Sequence, residues 1–136
     1  MAARTKARKR AVDVLYEADL RGADPVELLR ERISDVSPPV PDHAVRLVEG
    51  VAANNSRIDE LIDRHARGWS LERLPDVDRA ILRMAVYELL WADDVPDAVV
   101  IDEAVELARA LSTDDSPAYV NGVLGAILDA EVPTSS

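Results

Sequence analysis

Prolines and glycines cut this chain into helix-length pieces, and no piece alternates apolar and polar residues as a strand would. Proline lacks an amide proton and fixes its own φ, so it opens or interrupts a helix and is disfavoured within one. Gly22 stops a first helix over 4–21, whose Ala7, Ala11, Val14, Leu15 and Ala18 share one stripe. Asp24-Pro25-Val26-Glu27 supplies a capping carboxylate, a first-position proline and an early acid, opening a helix to about Ile33 that buries Val26, Leu29 and Ile33. Ser37-Pro38-Pro39-Val40-Pro41 is a loop. Asp42 then caps a long helix over about 43–66, with Val45, Val48, Val51, Ala52, Ile58, Leu61 and Ile62 inward, interrupted by the polar Asn54-Asn55-Ser56, and Gly68 closing it. Trp69 to Leu74 reads as a short connector ending at Pro75.

The segment Asp76 to Ala92 carries Val77, Ala80, Ile81, Met84, Ala85 and Leu89 on one side, with Trp91 at the end, and Leu82, Val86 and Leu90 on the other. A helix apolar on both faces belongs in the middle of a bundle. Asp93-Asp94-Val95-Pro96 breaks it. A helix over about 98–111 buries Val99, Ile101, Ala104, Val105, Ala108 and Leu111. After the loop Ser112 to Pro117, a last helix over about 117–131 buries Val120, Val123, Leu124, Ile127 and Leu128. Gly122 and Gly125 inside it imply close backbone approach, since each costs about 1 kcal/mol against alanine. The expectation is an all-α fold of six principal helices and a connector, in one domain over 1–136 with a tail at 133–136.

Composition narrows the function. Cysteine is absent, which removes disulfides, thiolate metal sites and cysteine nucleophiles and suits a reducing cytoplasm. No run approaches the roughly 20 apolar residues of a membrane span, and Asp13, Glu17 and Asp19 interrupt any signal-peptide pattern. The chain reads as soluble and cytoplasmic. His43 and His65 fall at the two ends of one expected helix, about 30 Å apart by helical rise, and cannot share a metal within it. No phosphate loop, nucleophile elbow or zinc-binding His pair occurs. The acidic pairs Asp93-Asp94, Asp102-Glu103 and Asp114-Asp115 suit helix starts and loops. No enzyme activity, cofactor or metal is expected.

Charge, by contrast, is segregated. Residues 1–10 hold Arg4, Lys6, Arg8, Lys9 and Arg10 and no acid, while the remainder carries 11 basic and 26 acidic groups, a net of −15. A basic tip on an acidic body suggests a polyanion at the tip and a cation-rich partner on the body. Cations at a helix start oppose its dipole, and bound phosphate reverses that penalty. Tyr16 and Tyr119 are candidates for stacking unpaired bases, or else half-buried core tyrosines.

Several segments, in order, resemble the NusB family of transcription antitermination factors. They are Arg8-Lys9-Arg10-Ala11-Val12-Asp13-Val14-Leu15-Tyr16; the run from Leu74 to Leu90; Asp94-Val95-Pro96; Val100-Ile101-Asp102-Glu103-Ala104-Val105-Glu106-Leu107-Ala108; and Asp115-Ser116-Pro117-Ala118-Tyr119-Val120-Asn121-Gly122-Val123-Leu124. The resemblance implies a two-part helical bundle that binds the single-stranded boxA element of ribosomal RNA leader transcripts. It also implies the ribosomal protein NusE as a partner and a place in the transcription elongation complex with other Nus factors. By the same resemblance the RNA surface comprises Arg4, Lys6, Arg8, Lys9, Arg10, Asp115, Ser116 and Tyr119. The acids Glu72, Asp76, Asp78 and Glu88, near the central helix, are the expected docking region for a basic partner.

Two other readings stand beside this one. A cousin of the fold forms the RNA-binding front domain of ribosomal RNA cytosine-5 methyltransferases, though this chain has neither a cofactor-binding glycine motif nor a cysteine. A protein-interaction module that homodimerises through the front helix or the Gly122/Gly125 helix is the other.

Overall fold

The structure, a computed structural model, describes residues 3–34, 40–66 and 74–131. Among the described residues there are seven α-helices: α1 (Ala3–Arg21), α2 (Pro25–Ser34), α3 (Asp42–Ala53), α4 (Asn55–His65), α5 (Asp76–Trp91), α6 (Asp97–Leu111) and α7 (Ser116–Glu131). No strand occurs among the described residues. The connector expected over Trp69 to Leu74 lies, apart from Leu74, outside them, as does Gly68.

The punctuation works as the residue chemistry dictates. Gly22 adopts φ +62°, and the amide of Ala23 reaches back to the Ala18 carbonyl at 2.9 Å, which closes α1 in a Schellman turn. Asp24 Oδ1 accepts from the Val26 amide at 2.9 Å and starts α2. Pro41, Pro75 and Pro96 sit at the helix-capping position of α3, α5 and α6, each with an extended ψ near 140–146°. Asp42 therefore occupies the first turn of α3 and makes no side-chain cap, contrary to the expectation for it.

The long helix expected over 43–66 is two helices. Asn54 (φ −120°, ψ 18°) breaks it, and its side-chain amide donates to the Gly50 carbonyl at 2.9 Å. A short amide that bonds its own preceding turn competes with the helical ladder, and here it wins. The polar Asn54-Asn55-Ser56 interrupts the apolar stripe at this point, and the helical break falls there.

Helix α5 is central: it packs against α1, α3, α4, α6 and α7. Ala80, Ile81, Leu82, Met84, Ala85, Val86 and Leu89 are all buried along it, on both faces. Helix α2 lies on α1 and α3, whereas α7 lies on α4 and α6, giving two sub-bundles that share α5. Ala7, Ala11, Val14, Leu15 and Ala18 of α1 are buried as expected. Ile33 and Val99 are not; each is exposed, and Leu28 and Val100 take the inward positions instead. Trp91 also faces outward. Gly122 and Gly125 have open space where a side chain would stand, so close packing is not why they are glycine.

Candidate nucleic-acid interface

Helix α1 runs antiparallel to α5, and charged side chains fix the pairing at both ends. Arg79 of α5 donates to Asp19 of α1 at 2.8 Å, and Arg83 grips Asp59 of α4 with two bonds of 2.8 and 2.9 Å. At the other end, Arg8 Nε and Nη2 donate to the two oxygens of Glu88 at 2.7 and 2.9 Å. A third Arg8 bond, from Nη1, reaches Glu103 of α6 at 3.0 Å. Arg8 is 3% exposed and Glu88 1%. Burial alone would favour the neutral guanidine, but the bonds to Glu88 and the charges of Glu88 and Glu103 outweigh it and raise the Arg8 pKa above its ordinary value.

The helical period thus splits the basic run into two faces. Arg8 turns inward and Thr5 joins it part-buried, while Arg4, one turn before Arg8, is held at the surface by an acid of the body. Arg4 Nη2 meets Asp94 at 2.8 Å, and the Thr5 hydroxyl donates to Glu103 at 2.6 Å. Lys6, Lys9 and Arg10 point the other way: Lys6 and Lys9 are exposed and Arg10 half-buried. Neither Lys6 nor Arg10 has an ion pair among the described residues. Among the described residues Lys9 pairs only with Asp13 one turn on, at 3.9 Å with both groups more than half exposed, a contact of little strength.

Arg8, expected on the RNA surface, is therefore an interior residue in this structure. A scan of charge along the sequence treats every cation as solvated. The carboxylates that compensate the buried charge of Arg8 lie 80 and 95 residues away. Similarly, two of the acids expected to dock a partner are inside. Glu88 holds Arg8, and Asp78, 2% exposed, accepts from Ser116 Oγ at 2.8 Å. Asp76 is at the surface, paired with Arg79. Glu72 lies outside the described residues.

At the start of α7, Asp115 is exposed, Ser116 buried and Tyr119 half-buried. Besides its bond to Asp78, Ser116 Oγ accepts from the Thr113 amide at 3.3 Å and lies 3.0 Å from Ser112 Oγ, so this hydroxyl shapes the loop. Burial, with the charge of Asp78 beside it, raises the Tyr119 phenol above its ordinary pKa. Tyr119 lines two surface cavities. One, of about 510 Å³, is lined by Leu74, Pro75, Asp78, Thr113, Asp115 and Ser116. The other, of about 410 Å³, is lined by His65, Ala118, Gly122, Val123 and Ala126. The α1 anchor at Glu88 and the α7 anchor at Asp78 are ten residues apart on α5, about 15 Å by helical rise. A strand of nucleic acid, not a single nucleotide, is the ligand that would touch both regions.

The two histidines lie on different helices. His43, at the start of α3, is 3.7 Å from Glu88; His65, at the end of α4, is 3.3 Å from Glu131. No cluster of three metal-ligating side chains occurs among the described residues, and no helix there is long and apolar enough to cross a membrane.

Comparison with known proteins places this geometry. Residues 5–129 match the model of the NusB family. The chain is 67% identical over 129 residues to the transcription antitermination protein NusB of Saccharopolyspora erythraea, covering 93% of this chain and 87% of that protein. It is 61% identical over 127 residues to the NusB of Acidothermus cellulolyticus, with coverage of 93% and 88%. Among solved structures it resembles a T. maritima NusB at TM-score 0.86 and 36% identity, covering 97% and 94% of the two chains. It also resembles, at TM-score 0.82 and 34% identity, a chain from the crystal structure of antitermination factors NusB and NusE in complex with dsRNA, covering 93% and 96%.

Proposed function

The chain belongs to the NusB family, and from that premise we propose that it is an RNA-binding transcription antitermination factor. It binds boxA-type leader RNA of ribosomal RNA operons together with the ribosomal protein NusE, joins the elongation complex with other Nus factors, and suppresses premature termination in the cytoplasm. The whole chain acts as one RNA-binding domain and performs no catalysis.

One observation carries the assignment of the RNA surface: the inward bonds of Thr5 and Arg8, with Arg4 paired to Asp94 at the surface, leave Lys6, Lys9 and Arg10 on the outer face of α1. Three cations within about one turn of a helix meet a phosphate backbone together, and their displacement of counterions supplies affinity without reading sequence. Tyr119, with Asp115 beside it, offers a half-exposed ring at the second region, where an unpaired base gains about 1–3 kcal/mol by stacking. Ser116 contributes by holding that loop against Asp78. The acidic body attracts a basic ribosomal protein, and Asp76 is the expected docking acid found on the described surface.

Fluorescence anisotropy of a labelled single-stranded boxA RNA, with and without NusE, tests this reading. Binding that tightens in the presence of NusE is the expected result. Absence of binding in both conditions, at physiological salt, would reject it.

A further inference from the structure

Resting on the RNA-binding reading, we infer that Glu88 and Glu103 are positioning residues for the RNA site: two acids required for binding a polyanion. The observation is a convergence. Glu88 comes from α5 and Glu103 from α6, yet both receive the guanidinium of Arg8, and Glu103 also receives the Thr5 hydroxyl. These bonds fall within the first two turns of α1, the stretch that carries Lys6, Lys9 and Arg10.

Those turns need such a restraint. The start of α1 has no acid in its first turn, so its cations oppose the helix dipole and one another. Left alone, a terminal helix of this composition frays. Ala7 and Ala11 bury little surface each, which leaves the bidentate Arg8–Glu88 pair and its Glu103 brace as the strongest directional contacts in these turns. The clamp grips the inner face and thereby presents the outer one. Neither acid touches the outer face, and Glu88 is 1% exposed, so both act on RNA through Arg8 and the backbone of α1.

The sign of the effect separates this idea from ordinary electrostatics. Neutralising an acid near a polyanion site removes repulsion and tightens binding. Neutralising a clamp loosens the cation face and weakens it. Glu106, one turn after Glu103 on α6 and paired only locally with Arg109, removes the same charge from the same helix without touching α1.

The test compares wild type, Glu88→Gln, Glu103→Gln and Glu106→Gln by anisotropy with the labelled boxA RNA and NusE over a salt series. Amide hydrogen exchange over residues 7–12 is followed in the same proteins. Expected are a loss of affinity of about tenfold for Glu88→Gln and about threefold for Glu103→Gln, with faster exchange in α1 and an undiminished salt slope. Glu106→Gln is expected to bind as tightly as wild type or more so. If Glu88→Gln fails to fold, the partly exposed Glu103 decides the matter alone. Glu103→Gln binding as tightly as Glu106→Gln would overturn the inference while the RNA reading stands. Failure of the wild type itself to bind would remove both.

Discussion

Tyr87 of α5 lies so close to the backbone of Gly50 on α3 that a methyl group at position 50 would fall 2.2 Å from its ring. The ring cannot retreat freely, because Trp91 stacks on it with centroids 6.3 Å apart and planes 7° from parallel. Gly50→Ala is therefore expected to destabilise the fold by about 1–3 kcal/mol through overpacking. Urea denaturation measures the loss. In a Tyr87→Ala background the same change is expected to cost much less, and additive effects would contradict the contact.

Gly122 and Gly125 carry the opposite prediction. Both lie within α7 with nothing near a would-be side chain, so alanine at either position gains helix propensity without a clash. Each change is expected to stabilise the protein by about 0.5–1 kcal/mol. Gly22, at φ +62°, is expected to lose stability on the same substitution. Thermal melts of the three variants distinguish the two environments.

These glycines also show where a linear reading stops. Sequence gives the cost of glycine in a helix but not which space surrounds it, and Gly50, whose contact is decisive, has no local signature. Helix starts were legible because proline and Asp24 act through their own neighbouring backbone. The break at Asn54 is legible only as a polar interruption, Asn54-Asn55-Ser56; that it ends one helix and starts another depends on the side-chain bond to Gly50. Ile33 and Val99 were misplaced because neighbouring positions on an apolar helix compete for the interior, and tertiary contacts choose Leu28 and Val100. At the candidate site the basic run was visible as charge. Its division into a buried anchor and an open face depends on acids from α5 and α6.

Arg8→Ala leaves Glu88 buried with its charge uncompensated, and the expected loss is about 3–5 kcal/mol. Replacing both partners together, Arg8→Met with Glu88→Leu, is expected to restore most of that loss. Chemical denaturation of the single and double variants checks it. A single variant as stable as wild type would show that the pair does not hold α1.

Stability is also expected to depend on pH through His43. Burial pushes its imidazole below the ordinary value of 6.5; Glu88 opposes the shift, and the charges of Arg4, Arg8 and Arg46 add to it. The folded state thus binds the proton less readily than the unfolded chain. Stability from this group is complete above pH 6.5 and falls as pH drops below it. Glu17, Asp94 and Glu131, held below their ordinary values by bonds to Arg32, Arg4 and His65 respectively, lose their contribution only in a more acidic range, below about pH 4.5. Urea midpoints at pH 7.5, 6.5 and 5.5 are expected to decline in the wild type and to decline less in His43→Gln. Equal decline in both would assign the effect elsewhere.

The division of the basic run is tested most directly by the salt dependence of RNA binding. Anisotropy with labelled boxA RNA and NusE is measured from low to physiological salt for the wild type and for Lys6, Lys9 and Arg10 changed together to Ala. Three lost phosphate contacts on a single strand are expected to flatten the log–log slope by about 2. An unchanged slope in the triple variant would show that the outer face of α1 does not meet the RNA backbone.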